Sequence, residues 1–156
     1  RPKDERQTIY VRPEKYTGES ATSKIASLRK IMQKKGVTHF LVTALDDVAW
    51  VTNLRGNDIV FNPVFLAYLS ITPEKATLFA ELKQCDDSVK AYLKQHHIEL
   101  KDYHDFFKEI SHINGEKILL SPDANQSIFN TVEPKNTIYK YISRNKNISL
   151  AVRQLL

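Results

Sequence analysis

The sequence predicts an α/β domain built on a mixed β-sheet with helices on both faces. Three observations carry that reading. Stretches with helical period alternate along the chain with stretches that have the length and composition of strands. The run Val64–Ile71 is apolar on both faces, as a central strand covered from two sides would be. Pro73-Glu74-Lys75 then connects so tightly to the next strand, Ala76–Ala80, that the two must form an antiparallel hairpin within the sheet.

The elements follow in order. Residues 1–19 are polar, broken by Pro2, Pro13 and Gly18, and read as a linker or an extended lead-in from a preceding domain. From about Thr22, Ile25, Leu28, Ile31 and Met32 share one helical face, Lys34-Lys35 fill the last turn and Gly36 stands at C′. Val37–Thr43 is a short strand around Phe40, Leu41 and Val42. Asp46 and Asp47 open a second helix, their carboxylates suiting its positive end; Ala49, Trp50 and Leu54 supply its buried face and Gly56 its stop. After the hairpin, Asp86-Asp87 open a helix with Val89, Tyr92 and Leu93 inward, ending around His96, and Ile98–Leu100 is a strand. A helix carrying Phe106, Phe107 and Ile110 ends at Gly115. Lys117–Leu120 is a strand, Asn125–Val132 a helix before Pro134, and Thr137–Ile142 a last strand. A final helix starts near Asn145 or Asn147 with Ile148, Val152 and Leu155 inward, and no glycine or proline closes it before Leu156. The chain therefore reads as a piece of a longer protein, with a domain over 20–145 and the start of a connecting helix over 146–156.

Composition excludes several function classes. The 156 residues, 42% of them hydrophobic, suit one domain. The four glycines, Gly18, Gly36, Gly56 and Gly115, are too scattered for a Walker A loop or a dinucleotide fingerprint, which both need clustered glycines where backbone approaches phosphate. A single cysteine, Cys85, rules out an internal disulfide and any zinc site built on several thiolates. There is no apolar run of membrane-spanning length and no secretory leader, so a cytoplasmic, membrane-free setting is expected.

The net charge of +5 is unevenly placed. Residues 1–35 hold ten Lys/Arg against four acids, residues 36–133 eight against fourteen, and residues 134–156 five against none. A basic face with interleaved readers, as nucleic-acid binding needs, is absent, so nucleic acid is not an expected partner. The basic ends instead suit a neighbouring domain or an acidic partner.

The residues that could carry chemistry do not assemble into a catalytic set. Adjacent helical positions point about 100° apart, so His96 and His97 cannot easily share an ion. His104 and His112 are eight apart, and His39 has no acid near it in sequence. Asp47 and Asp58 are eleven apart, a spacing some two-metal hydrolases use, but one belongs to a helix start and the other to a loop. Cys85 has Asp86 and Asp87 beside it, which oppose thiolate formation, and there is no G-x-S-x-G elbow. No catalytic, cofactor-binding or metal-binding residue is therefore assigned. One segment, Ala44 to Phe65, concentrates the only tryptophan with arginine, aspartates, asparagines, glycine and proline. Asp47, Trp50, Asn53, Arg55, Gly56, Asp58, Asn62 and Pro63 form its candidate interdomain or structural motif, in which polar groups satisfy one another and the backbone or meet another domain.

Val42 through Phe65 resembles the pattern V-[ST]-A-L-D-E-I-A-W-L-x-N-L-R-G-x-D-[IV]-x-x-N-P-V-F of the middle domain of three-domain Xaa-Pro aminopeptidases, in the creatinase/prolidase/aminopeptidase P family, peptidase family M24. Asp47 replaces Glu and Val48 replaces Ile, while Tyr16-Thr17-Gly18-Glu19-Ser20 and Leu28-Arg29 resemble that domain's opening. The resemblance implies a creatinase N-terminal-like fold of ribonuclease-H-like topology that is itself non-catalytic. It places the chemistry in a separate pita-bread domain, where two aspartates, a histidine and two glutamates hold two metal ions, typically manganese. It further implies flanking domains of the same polypeptide, proline-containing peptides and a homodimer as partners of the full-length enzyme. Two other readings stand beside it: a stand-alone module gripping an acidic partner with its basic ends, and a ribonuclease-H-like nuclease, which needs strand carboxylates that are nearly absent here.

Overall fold

The computed structural model describes residues 8–56 and 65–141. Its elements are β1 (Tyr10–Val11), α1 (Glu14–Thr17), α2 (Ala21–Lys35), β2 (His39–Val42), α3 (Leu45–Thr52), β3 (Leu54–Arg55), β4 (Ala67–Ile71), β5 (Ala76–Ala80), α4 (Asp87–Gln95), β6 (Glu99–Asp102), α5 (Phe106–Ile110), β7 (Lys117–Leu120), α6 (Gln126–Val132) and β8 (Thr137–Lys140).

Local chemistry sets most boundaries. The Ser20 side chain accepts from the Ser23 N–H at the start of α2, and Gly36 ends it at φ 73°, a left-handed conformation that favours glycine. The Asp86 carboxylate caps α4 by accepting from the Val89 N–H at 3.0 Å. That bond and one from the Ser88 hydroxyl hold its pKa below the usual carboxylate range. Asn125 caps α6 by accepting from the Ser127 N–H at 2.8 Å.

The strands form a six-stranded sheet in the order β6-β5-β4-β2-β7-β8. The expected hairpin is present: β4 pairs antiparallel with β5 and, on its other side, with β2. The pairs β2–β7, β7–β8 and β5–β6 are parallel, so β4 alone runs against the rest. Without the outer strand β6, this is the expected ribonuclease-H-like arrangement. On one face, α2, α3 and α4 bury Ile25, Leu28, Met32, Val48, Val51, Val89 and Leu93 against Phe40, Val42, Leu69, Ile71 and Leu78. On the other, α5 and α6 bury Phe106, Ile110, Ile128, Phe129 and Val132 against Leu41, Phe79, Ile118 and Leu120.

The structure corrects three readings. Within the supposed lead-in, Ile9 is fully buried in the core and β1 pairs antiparallel with β3. Ile9 has a core to enter and Tyr10–Val11 a free strand edge to satisfy, so this stretch packs onto the domain rather than trailing from it. α3 stops at Asn53, which turns left-handed at φ 60°, and not at Gly56; Leu54 lies in the following strand. α5 ends at Ile110, well before Gly115, whose N–H instead bonds the Lys135 carbonyl at 2.9 Å in a turn. Phe107 is 37% exposed because five helical residues bring only Phe106 and Ile110 onto the sheet. The closing helix near Asn145 lies outside the described residues.

Candidate functional site

The last four carbonyls of a helix have no partner within it. In α3 these belong to Ala49, Trp50, Val51 and Thr52, and no glycine-based cap follows them. Side chains from elsewhere take three of them. The Arg55 guanidinium donates to the Ala49 oxygen at 2.6 Å and to the Leu54 oxygen at 2.8 Å. The Lys24 ammonium donates to the Trp50 oxygen at 2.5 Å, and the Tyr92 hydroxyl to the Thr52 oxygen at 2.7 Å. Two cations at the negative end of the helix also complement its dipole.

Lys24 is the centre of this arrangement. It lies on α2 with 0% exposure, donates a second hydrogen bond to Asn53 Oδ1 at 2.7 Å and sits 4.2 Å from the centre of the Trp50 ring. Asn53 is buried too, and its Nδ2 donates to the Glu19 oxygen at 2.9 Å, while its carbonyl accepts from the Arg12 N–H at 2.8 Å. One left-handed residue thereby ties α3 to the entry of α2 and to β1.

Of the eight motif residues, Trp50, Asn53 and Arg55 meet in this cluster. Gly56 follows it, buried. Asp47 lies in the first turn of α3, as its charge suits, but the N-cap is Ala44, which makes no side-chain bond. Asp47 is 1% exposed and near Tyr141; burial above all, and then this carboxylate, raises the pKa of the Tyr141 phenol. Asp58, Asn62 and Pro63 lie outside the described residues. Lys24 was not singled out in the sequence, although a signal exists: it falls between Ala21 and Leu28 on the buried stripe, where the helical period calls for an apolar residue.

The other reactive residues take structural places. His96 Nδ1 lies 2.6 Å from the Thr22 hydroxyl, His112 Nδ1 bonds the Lys108 oxygen at 2.8 Å, and His97 is left-handed at φ 58°. Cys85 is buried, and burial more than its acidic neighbours pushes its thiol up to about 11. Among the described residues no three His, Cys, Asp or Glu side chains are grouped to hold a metal ion. The metal set that the family resemblance implies, which it places in a separate catalytic domain, has no counterpart among these described residues. No described helix is long and apolar enough to cross a membrane.

The domain is thus a mixed α/β sheet with one reversed strand, helices on both faces and a clamped αL junction after α3. The chain belongs to the Creatinase/Prolidase N-terminal domain family, whose profile matches residues 1–151. It is 40% identical over 116 residues to a "Probable Xaa-Pro aminopeptidase P" of Metarhizium robertsii, covering 74% of this chain and 19% of that protein. It is 34% identical over 141 residues to "Xaa-Pro aminopeptidase 1" of Dictyostelium discoideum, covering 89% of this chain and 22% of that one. The chain thus spans about a fifth of the length of these curated relatives. Its fold matches the X-prolyl aminopeptidase of Caenorhabditis elegans, described as a cytosolic enzyme with a di-nuclear active site, with a TM-score of 0.80 and 23% identity. That match covers 87% of this chain and 24% of the other. It also matches the isolated N-terminal domain of the cytoplasmic peptidase PepQ of Mycobacterium tuberculosis, TM-score 0.55 at 14% identity, covering 88% and 100%.

Proposed function

We propose that this chain is a non-catalytic domain of a cytoplasmic, metal-dependent Xaa-Pro aminopeptidase, contributing interdomain packing, active-site access or assembly to the whole enzyme. The observation that carries this is the kind of relative it matches: aminopeptidases of which it covers about a fifth. The geometry supports it. The candidate residues serve to clamp a junction, with Lys24, Arg55 and Tyr92 spent on backbone carbonyls and none presented as a nucleophile or general base. On this reading two metal ions, manganese in the first instance, would be held by a separate catalytic domain, where they would supply Lewis-acid activation of water for hydrolysis of the bond before proline. The substrates are proline-containing peptides, the nearest partners are flanking domains of the same polypeptide, and the whole enzyme is a homodimer.

The test compares the parent polypeptide with the 156-residue chain in an assay of Xaa-Pro cleavage with added manganese. The parent should cleave and the isolated chain should not. Turnover by the isolated chain, or a parent unable to cleave Xaa-Pro peptides, would overturn the proposal.

A further inference from the structure

The sheet face under α5 and α6 changes character along its length. Cross-strand partners share a face, so His39, Leu41, Tyr68, Ser70, Thr77, Phe79, Ile118 and Leu120 all point to this side. α5 and α6 cover the apolar part. α5 has only five residues and leaves the end with Ser70, Thr77 and His39 uncovered. There a cleft of about 340 Å³ opens, bounded by Lys75 on the hairpin turn and by Glu109, His112, Asn114 and Glu116 on the far wall.

The cleft is electrically two-ended. Lys75 is exposed, and Lys101 pairs with Glu109 at 3.0 Å. The Glu109 carboxylate is thereby engaged outside the cleft. Glu116 accepts from the Thr38 hydroxyl through Oε1 only, at 2.9 Å. Between these charges, the paired Ser70 and Thr77 hydroxyls have no hydrogen-bond partner among the described residues, although both are half-buried. Burial lowers the His39 pKa, outweighing the Glu116 charge that raises it, so its imidazole is neutral near pH 7. His39 Nδ1 faces the Thr38 hydroxyl at 3.0 Å and His112 Nδ1 the Lys108 oxygen, which leaves Nε2 of each ring for a ligand.

Scale narrows the ligand. Glu116 adjoins β7 and Lys75 lies between β4 and β5, two to three strands away, or about 10–14 Å at the usual strand spacing. An extended chain of two to three residues spans about 7–10 Å, leaving room for the two side chains to reach its ends.

We propose that this cleft binds a free peptide of two to three residues, its carboxylate at Lys75 and its ammonium at Glu116, across the Ser70 and Thr77 hydroxyls. The inference goes beyond the aminopeptidase reading and does not depend on it, because the cleft is complete within this domain. The test is an NMR titration of the 156-residue chain with trialanine, with N-acetylated and C-amidated trialanine, and with the Lys75→Met and Glu116→Gln variants. Lys75 is exposed and Glu116 half-buried at the rim of the cleft, and neither belongs to the apolar core. Trialanine should give saturable amide shifts at Ser70 and Thr77, and blocking either terminus or removing either side chain should weaken binding about tenfold or more. Absence of saturable shifts up to about 10 mM, equal binding of the blocked peptides, or wild-type affinity in both variants would overturn it.

Discussion

Replacing Lys24 by methionine isolates the role of one buried ammonium. Methionine keeps most of the stem volume and helix propensity, so the change removes the charge and its donors while leaving packing nearly intact. Two acceptors are left behind in the interior, the Trp50 carbonyl at the end of α3 and Asn53 Oδ1, the latter on a residue only 2% exposed. An orphaned buried acceptor costs about 1–3 kcal/mol, and the loss of the ammonium above the Trp50 ring adds to this. Against that stands the relief of no longer desolvating a cation, which for buried charges is itself several kcal/mol. Both acceptors lose the ammonium that they face, and methionine offers no donor in its place, so destabilisation wins, at about 2–4 kcal/mol. For a chain of this size that lowers Tm by roughly 5–15 °C. Urea denaturation of wild type, Lys24→Met, Asn53→Ala and the double variant should also give a coupling of about 1 kcal/mol or more between the two positions. Stability of Lys24→Met within about 0.5 kcal/mol of wild type, with no coupling, would refute the view that this lysine holds the α3 junction.

Two further outcomes are expected. Gly36→Ala should destabilise by about 1–2 kcal/mol in thermal melts from backbone strain alone, since φ is 73° and nothing lies within 4 Å of the added methyl. His39 is more easily protonated in the unfolded chain than in the folded one, so its contribution is fully present above about pH 6.5 and is lost as pH falls below that value toward its lower folded pKa. Stability measured from pH 7.5 to 5 should decline less steeply in His39→Gln than in wild type.

Much of the architecture was legible because it rests on short-range rules. Ser20 and Gly36 around α2, Asp86 at α4, Asn125 at α6 and the Thr72–Lys75 turn are read by backbone groups a few residues away, and each acts where its type suggests. The misread boundaries have the opposite character. Gly56 and Gly115 are stop-like residues that no helix reaches, because Asn53 is held left-handed by Lys24, Glu19 and Arg12 from other elements, and because α5 ends once Ile110 has been buried.

The candidate site divides in the same way. The sequence by itself determined the alternation of elements, the hairpin at the centre of the sheet, and the segment around Trp50, Asn53 and Arg55 as the place where polar residues gather. Only the tertiary structure decided that Lys24 stands at its heart, since an ammonium can be buried only where several acceptors converge, and these come from α3 and the turn after it. The same holds for Ile9, whose core place depends on a strand edge, and for the two-ended cleft between Lys75 and Glu116, which exists because α5 is too short to cover the sheet. Periodicity records which faces are apolar; which polar groups meet across them is set by the distances that folding closes.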